Sequence, residues 1–340
     1  MNTHAELSVA GDAPQPVHIP ASDGYVLSGL LWWPPSGSCP PPLVVINPAT
    51  SVAARYYGRF ARFLQTRGMA VLTYDYRGIG QSRPERLRGF EAGWLIWGER
   101  DFEAVLQWAG REFPESPVDV VGHSAGGFVL GLAESACRVR RVCTVAAQLG
   151  YWADFAPLQR AGMFMKWQFA MPALTALMGY FPGQRLGWLE DSPRGVVHDW
   201  TRHMRRLEQA HDRGGPGHRV AERQALVRRC SRMRSPILAI GIDDDAFGTP
   251  RALERLLDYF PESPRTHIRV SPHDIGAGSI GHFAFFHDRF EHSLWQLALG
   301  WLQSGELTAG MARAAPFRIA PPMNPQTQES FHASEQSFSR

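Results

Sequence analysis

Six residues constrain this chain more than any others: Gly122-His123-Ser124-Ala125-Gly126-Gly127, directly after the apolar run Val118-Asp119-Val120-Val121. The pattern G-x-S-x-G at the end of a buried-type strand, followed by Phe128, Val129 and Leu132 at helical spacing, predicts a sharp strand–turn–helix corner. Such a corner exposes one hydroxyl over the end of a sheet, with the next amide facing the same space. The bland reading is a packing corner with an incidental serine. The functional reading makes Ser124 a nucleophile, and its fold requirement is a parallel sheet with a helix leaving each strand.

The rest of the chain meets that requirement. Val17–Pro20 and Tyr25–Trp33 read as an edge hairpin around Asp23-Gly24. Leu43–Ile46, Ala70–Tyr74, Val118–Val121, Arg141–Ala147, Pro236–Ile240 and His267–Val270 read as strands. Between them lie amphipathic helices marked by Tyr56, Phe60, Phe63 and Leu64, by Phe102, Val105 and Leu106, by Leu253, Leu256 and Leu257, and by Phe290, Leu294, Leu297 and Trp301. Alternation stops between Leu149 and Met233, where no strand is expected. The expected organisation is a flexible N-terminus over 1–15, a core over 16–148 and 234–304, a helical lid insertion over 149–233, and a disordered tail over 305–340.

Bulk properties exclude several classes. A net charge of +3 is too small to argue for nucleic acid, and Lys166 is the only lysine among many arginines, which reads as coding bias. Four cysteines, Cys39, Cys137, Cys143 and Cys230, show no C-x-x-C or metal-ligand spacing, so neither a metal nor a disulfide framework is expected. The first 20 residues lack an apolar signal core, and the greasy stretch Ala161–Phe181 is broken by Lys166, Gln168, Pro172 and Gly179. A spanning helix needs about 20 mostly apolar residues. A buried or interfacial helix pair and a cytoplasmic location are the expectations.

A serine hydroxyl is a weak nucleophile, so a base must take its proton and an acid must orient that base. On an elbow of this kind the chain order is Ser, acid, His. The strand Pro236–Ile240 leads into Asp243-Asp244-Asp245, from which Asp244 is preferred as the acid, ahead of Asp245 and then Asp243. The last strand leads to Gly281-His282, and His282 is preferred as base over His273, His287 and His292. Two amides should hold the oxyanion: that of Ala125, and one from Asn47-Pro48-Ala49-Thr50, where Pro48 has none and Ala49 is the best donor. His123 is expected to pack beside the turn. Asp75 and Arg77 are expected to brace loops beside the oxyanion strand.

Taken together, Asn47–Thr50, the segment Tyr74-Asp75-Tyr76-Arg77-Gly78-Ile79-Gly80-Gln81-Ser82, the elbow, the aspartate cluster and Gly281-His282-Phe283-Ala284-Phe285-Phe286 resemble the α/β-hydrolase superfamily. In detail the chain is similar to a bacterial subgroup of predicted hydrolases related to serine aminopeptidase-like and lysophospholipase-like branches. The resemblance implies a mostly parallel eight-stranded sheet with helices on both faces and a helical lid. It departs at Asn47-Pro48, where His-Gly is usual.

The implied activity is hydrolysis of a carboxylic ester or related acyl compound, with no cofactor or metal. The alternatives are an aminopeptidase-type amide hydrolase, an acyltransferase, and a non-catalytic ligand-binding protein. The lid's first half holds Tyr151, Trp152, Phe155, Trp167, Phe181 and Trp188 among its large apolar groups, which either form the lid's own core or line a pocket for an apolar acyl substrate. Its second half is rich in arginine, read first as a solvated face and second as a site for an anionic group. An aminopeptidase needs acidic lid residues to seat an amine, and Asp154, Glu190, Asp191 and Asp199 are the few on offer.

Overall fold

The computed structural model describes residues 13–35, 40–201, 206–209 and 220–320. Runs that are apolar on both sides of the pleat need cover on both faces, and this decides the architecture. In chain order the strands are β1 (Gln15–Pro20), β2 (Val26–Trp32), β3 (Leu43–Asn47), β4 (Ala70–Tyr74), β5 (Val118–His123), β6 (Arg141–Val145), β7 (Tyr180–Phe181), β8 (Ser192–Pro193), β9 (Ile237–Ile242), β10 (Arg265–Val270) and β11 (Arg318–Ile319). Among the described residues nine of them form one sheet, in the order β1-β2-β4-β3-β5-β6-β9-β10-β11. The inner pairs from β4 to β10 are parallel, and β1, β2 and β11 join antiparallel at the edges. Every residue of β3, β4 and β9 is buried. One apolar cluster, with Val105, Phe128 and Phe260, covers one face, and a second, with Phe60, Trp295 and Trp301, covers the other. The central strand is β5, so the Ser124 corner stands at the middle of the sheet.

The ninth strand corrects the expected eight. It comes from the segment expected to be a disordered tail. Thr308 caps the helix Ala309–Ala314, its side chain accepting from Met311 N, and Met311 is buried against Gly300. Beyond it, Arg318 and Ile319 pair with Arg269 and Ile268. Residues 1–12 and 321–340, the remainder of the expected flexible ends, lie outside the described residues.

The 149–233 insertion also differs from expectation. It holds a short antiparallel pair, β7 with β8, that the sequence pattern does not mark. The greasy stretch, expected as a buried or interfacial helix pair, is one continuous helical run, Pro157–Met165, Lys166–Ala170 and Met171–Met178. Trp167 and Met171 face inward, while Leu158, Met165, Phe169 and Leu177 are exposed. No described helix is long and apolar enough to cross a membrane. The last helix of the insertion, Val220–Ser231, packs Leu226 and Cys230 into the main core. Arg228, Arg232 and Arg234 are exposed as a solvated face requires, whereas Arg223 is buried. Arg202, Arg205, Arg213 and Arg219 lie outside the described residues.

The loop after β4 is braced as expected. Asp75 accepts from the amides of Ala54 (2.6 Å) and Gln81 (2.8 Å). Arg77 donates to Asp101 Oδ1 (2.6 Å) and Asp23 Oδ2 (2.6 Å), and the Asp101 side chain is fully buried. Removing one partner of a buried ion pair strands the other charge. Arg77→Met is therefore expected to lower the unfolding free energy by about 3–5 kcal/mol, read as a lower urea midpoint. Adding Asp101→Leu to that variant should restore part of the loss.

Candidate active site

Ser124 sits at φ +52°, ψ −121°, a conformation that costs a non-glycine residue about 1–3 kcal/mol. Its neighbours explain how the turn is tolerated. A Cβ at Gly126 would lie 2.2 Å from the Asn47 carbonyl oxygen, and one at Gly122 would lie 2.8 Å from Gly127 Cα. Only glycine permits β3, β5 and the following helix to approach so closely. Ser124 N donates to Val145 O (3.0 Å), tying the turn to β6. Asn47 fastens the other side, donating to Gly126 O (3.3 Å) and accepting from Tyr74 Oη (2.9 Å). Ala125 opens the helix Ala125–Val129, and the first amides of a helix lack intrahelical acceptors.

Of the three aspartates after β9, the structure places Asp245, not Asp244, on the imidazole. Asp245 Oδ2 lies 2.7 Å from His282 Nδ1, and the Asp245 side chain is fully buried. Phe247 N donates to its other oxygen (2.8 Å), and Gly248 leaves room for the carboxylate, since a Cβ there would lie 2.5 Å from Asp245 Oδ2. Burial pushes the Asp245 carboxyl up, but the His282 imidazole and the backbone donors outweigh it and hold it below its ordinary range. Asp244 instead accepts from Ile280 N (2.9 Å) and Gly281 N (2.8 Å), bracing the loop that carries His282. Asp243 pairs with Arg269 and Arg318 at the sheet edge. The D-x-x-G spacing of Asp245 and Gly248 was the one available sequence signal for the right carboxylate.

His123 does more than pack. Its Nε2 lies 2.9 Å from His282 O, an atom that only accepts, so Nε2 carries the proton. Burial drives the ring down to about 3, and the neighbouring His282 pushes the same way, so His123 is neutral and its Nδ1 is a bare acceptor. Tyr57 Oη, 2.8 Å away, donates to that nitrogen. Burial raises the Tyr57 hydroxyl well above its ordinary range, which keeps the donor proton in place. Tyr57 Oη in turn accepts from Ala49 N (2.9 Å). The Ala49 amide, expected to face an oxyanion, is thus committed to Tyr57. Tyr57 has no place in the sequence reading, because nothing local in the sequence marks its hydroxyl.

Ser124 and His282 line a cavity of about 60 Å³ together with Ala49, Thr50, Gln148, Trp188, Leu189, Trp200, Phe247 and Phe283. Gln148, absent from the sequence reading, donates to Ser124 Oγ (3.4 Å). Trp188 stacks on Trp200 (5.6 Å between rings, 13° between planes), with Trp167 edge-on to both and Lys166 Nζ 3.5 Å over Trp188. Past Trp188, Leu189 and Phe283 a groove of about 810 Å³ opens along Val52, Ala53 and Tyr56. Asp154, Glu190, Asp191 and Asp199 are otherwise engaged. Asp154 pairs with Arg251 and Arg255, Asp191 with Arg83, and Asp199 accepts from Trp94 N. Glu190, at the groove, pairs with Arg55. None of the arginines 223 to 234 lines this cavity.

The sequence model of the family described as "Serine aminopeptidase, S33" matches residues 39–266, most of the chain. Monoglyceride lipase from Rattus norvegicus is 30% identical over 116 residues, covering 34% of this chain and 37% of that protein. Monoglyceride lipase from Homo sapiens is 25% identical over 178 residues, 52% of this chain and 54% of that protein. The chain therefore spans roughly a third to a half of the length of the curated relatives it matches. A soluble variant of monoglyceride lipase from Saccharomyces cerevisiae, solved with a substrate analog, shares the fold with a TM-score of 0.60 at 14% identity, covering 89% of this chain and 99% of that one. On the family match and the shared fold, the chain belongs to the serine aminopeptidase S33 family of the α/β-hydrolase superfamily.

Proposed function

We propose that this protein is a serine hydrolase of carboxylic esters with an apolar part, in which Ser124 is the nucleophile, His282 the base and Asp245 the orienting acid. The observation that carries the reading is the 2.7 Å contact of His282 Nδ1 with a fully buried Asp245, at the cavity that Ser124 also lines. Ser124 Oγ attacks the carbonyl carbon as its proton passes to His282. The imidazolium then protonates the departing alkoxide, and water repeats the sequence to free the acid and restore Ser124. The Ala125 amide holds one side of the oxyanion. With Ala49 committed to Tyr57, Thr50 is the next amide on the opposite loop.

Ester is favoured over amide by the cavity's lining. An aminopeptidase must seat a free amine against a carboxylate, and the cavity's lining contains no Asp or Glu. An apolar part suits the aromatic lining of Trp188, Trp200, Phe247 and Phe283. The similarity to monoglyceride lipases supports a lipid-like ester. Free thiols at Cys137, Cys143 and Cys230 support a reducing, cytoplasmic setting.

A panel of p-nitrophenyl esters of increasing chain length, glycerol esters and aminoacyl amides tests the substrate class. Ester turnover with release of free acid is the expected result, and preference for the aminoacyl amides would overturn it. Ser124→Ala should abolish fluorophosphonate labelling and lower kcat by about 10⁴-fold or more. Asp245→Asn should cost about 10³- to 10⁴-fold, whereas Asp244→Asn should cost no more than about tenfold, about 1.4 kcal/mol of barrier. Equal losses in the two would remove Asp245 from its role. Tyr57→Phe strands the Ala49 amide and His123 Nδ1 in the interior, an expected stability loss of about 1–3 kcal/mol in thermal or urea unfolding. It should also slow labelling of Ser124.

A further inference from the structure

We infer that Gln148 is a catalytic residue: its side-chain amide donates a hydrogen bond to Ser124 Oγ and stabilises the negative charge that this oxygen carries when it attacks and when it leaves. The inference rests on the assignment of Ser124 as nucleophile. Gln148 is 4% exposed and lines the cavity beside Ser124. Its orientation is set by chemistry. Gln148 Oε1 accepts from Gly150 N, which can only donate, so the NH₂ group must point the other way, where it meets Ser124 Oγ at 3.4 Å. Exchanging the two atoms would set donor against donor at Gly150.

The backbone holds the residue there at some cost. Ala146, where β6 turns toward the elbow, has φ +52°, and Gly150 has φ +74°. A Cβ at Gly127 would lie 2.5 Å from Ala147 Cβ, so this loop and the elbow are in close contact. Ala146 N donates to Ile240 O (2.9 Å), linking the turn to β9. A strained loop bonded into the sheet is a rigid mount for a donor.

In acylation the Oγ–H proton goes to His282 while Oγ bonds to the carbonyl carbon. In deacylation the Oγ–C bond breaks, Oγ leaves with the electron pair, and the proton returns from His282. Oγ carries alkoxide character in both steps, and a neutral N–H donor strengthens against it without accepting the proton. Resting hydrogen bonds of this length commonly tighten in the transition state. One preorganised donor aimed at developing charge contributes about 10²- to 10³-fold in kcat.

The test compares Gln148→Met and Gln148→Glu with wild type in fluorophosphonate labelling and in stopped-flow hydrolysis of a p-nitrophenyl ester. Gln148→Glu keeps the shape and the acceptor for Gly150 N but sets an oxygen against Oγ, so a residue needed only for loop structure tolerates it. Both variants should label about 10²- to 10³-fold more slowly, with burst and steady-state rates falling together and thermal midpoints close to wild type. Labelling of Gln148→Glu at the wild-type rate would overturn the proposal, as would a Gln148→Met variant of full activity. If one variant fails to fold, the other decides. Ester turnover that survives Ser124→Ala would instead break the underlying reading, an outcome the Gln148 variants do not affect.

Discussion

His123 lies on the elbow itself, enclosed by Tyr57, Phe283 and Phe286 and wholly removed from solvent. Desolvation keeps its ring neutral, so one nitrogen donates and the other accepts. That asymmetry fixes a one-way chain of hydrogen bonds from Ala49 N–H through Tyr57 Oη–H to His123, and from His123 to the carbonyl of His282. Three segments far apart in sequence, the loops after β3, β5 and β10, are thereby held in one frame. A charged His123 would put a donor against the Tyr57 proton and break the chain in the middle.

Strain in the backbone is gathered at the same place. The three non-glycine residues with positive φ among the described residues are Ser51, Ser124 and Ala146. They follow β3, β5 and β6, adjacent parallel strands at the centre of the sheet. In open parallel sheets the carboxyl ends of the strands are where ligands bind, because successive loops diverge there and leave a crevice. Here each of the three loops carries a residue held at positive φ. The result is a small cavity with its polar groups, from Ser124, Gln148, His282 and Thr50, against an aromatic wall from Trp188, Trp200, Phe247 and Phe283.

Much of this is legible in the sequence. The elbow, the strand runs, the edge hairpin and the loop carrying His282 were read from residues close in sequence, and the positions they take agree with that reading. Asp244 was chosen over Asp245 because three adjacent carboxylates look alike in one dimension. They differ only in where the chain points each one: Asp243 to Arg269, Asp244 to two amides, Asp245 to His282. Ala49 is the expected donor because Pro48 before it has no amide, and the hydroxyl of Tyr57 takes its N–H instead. The segment near Ile319 reads as tail because it is rich in Pro, Gln and Ser, and its two-residue strand meets its partner, β10, only in the folded sheet.

The sequence by itself determined the class of architecture and the place of the serine. Both follow from patterns within about ten residues, the period of apolar side chains and the glycines a tight turn demands. Tertiary structure decided which carboxylate meets the imidazole, that His123 is neutral and joined to Tyr57, and that Gln148 aims its amide at Ser124. Each is a matter of direction and burial, set by how separate strands and loops meet, and a linear pattern carries neither.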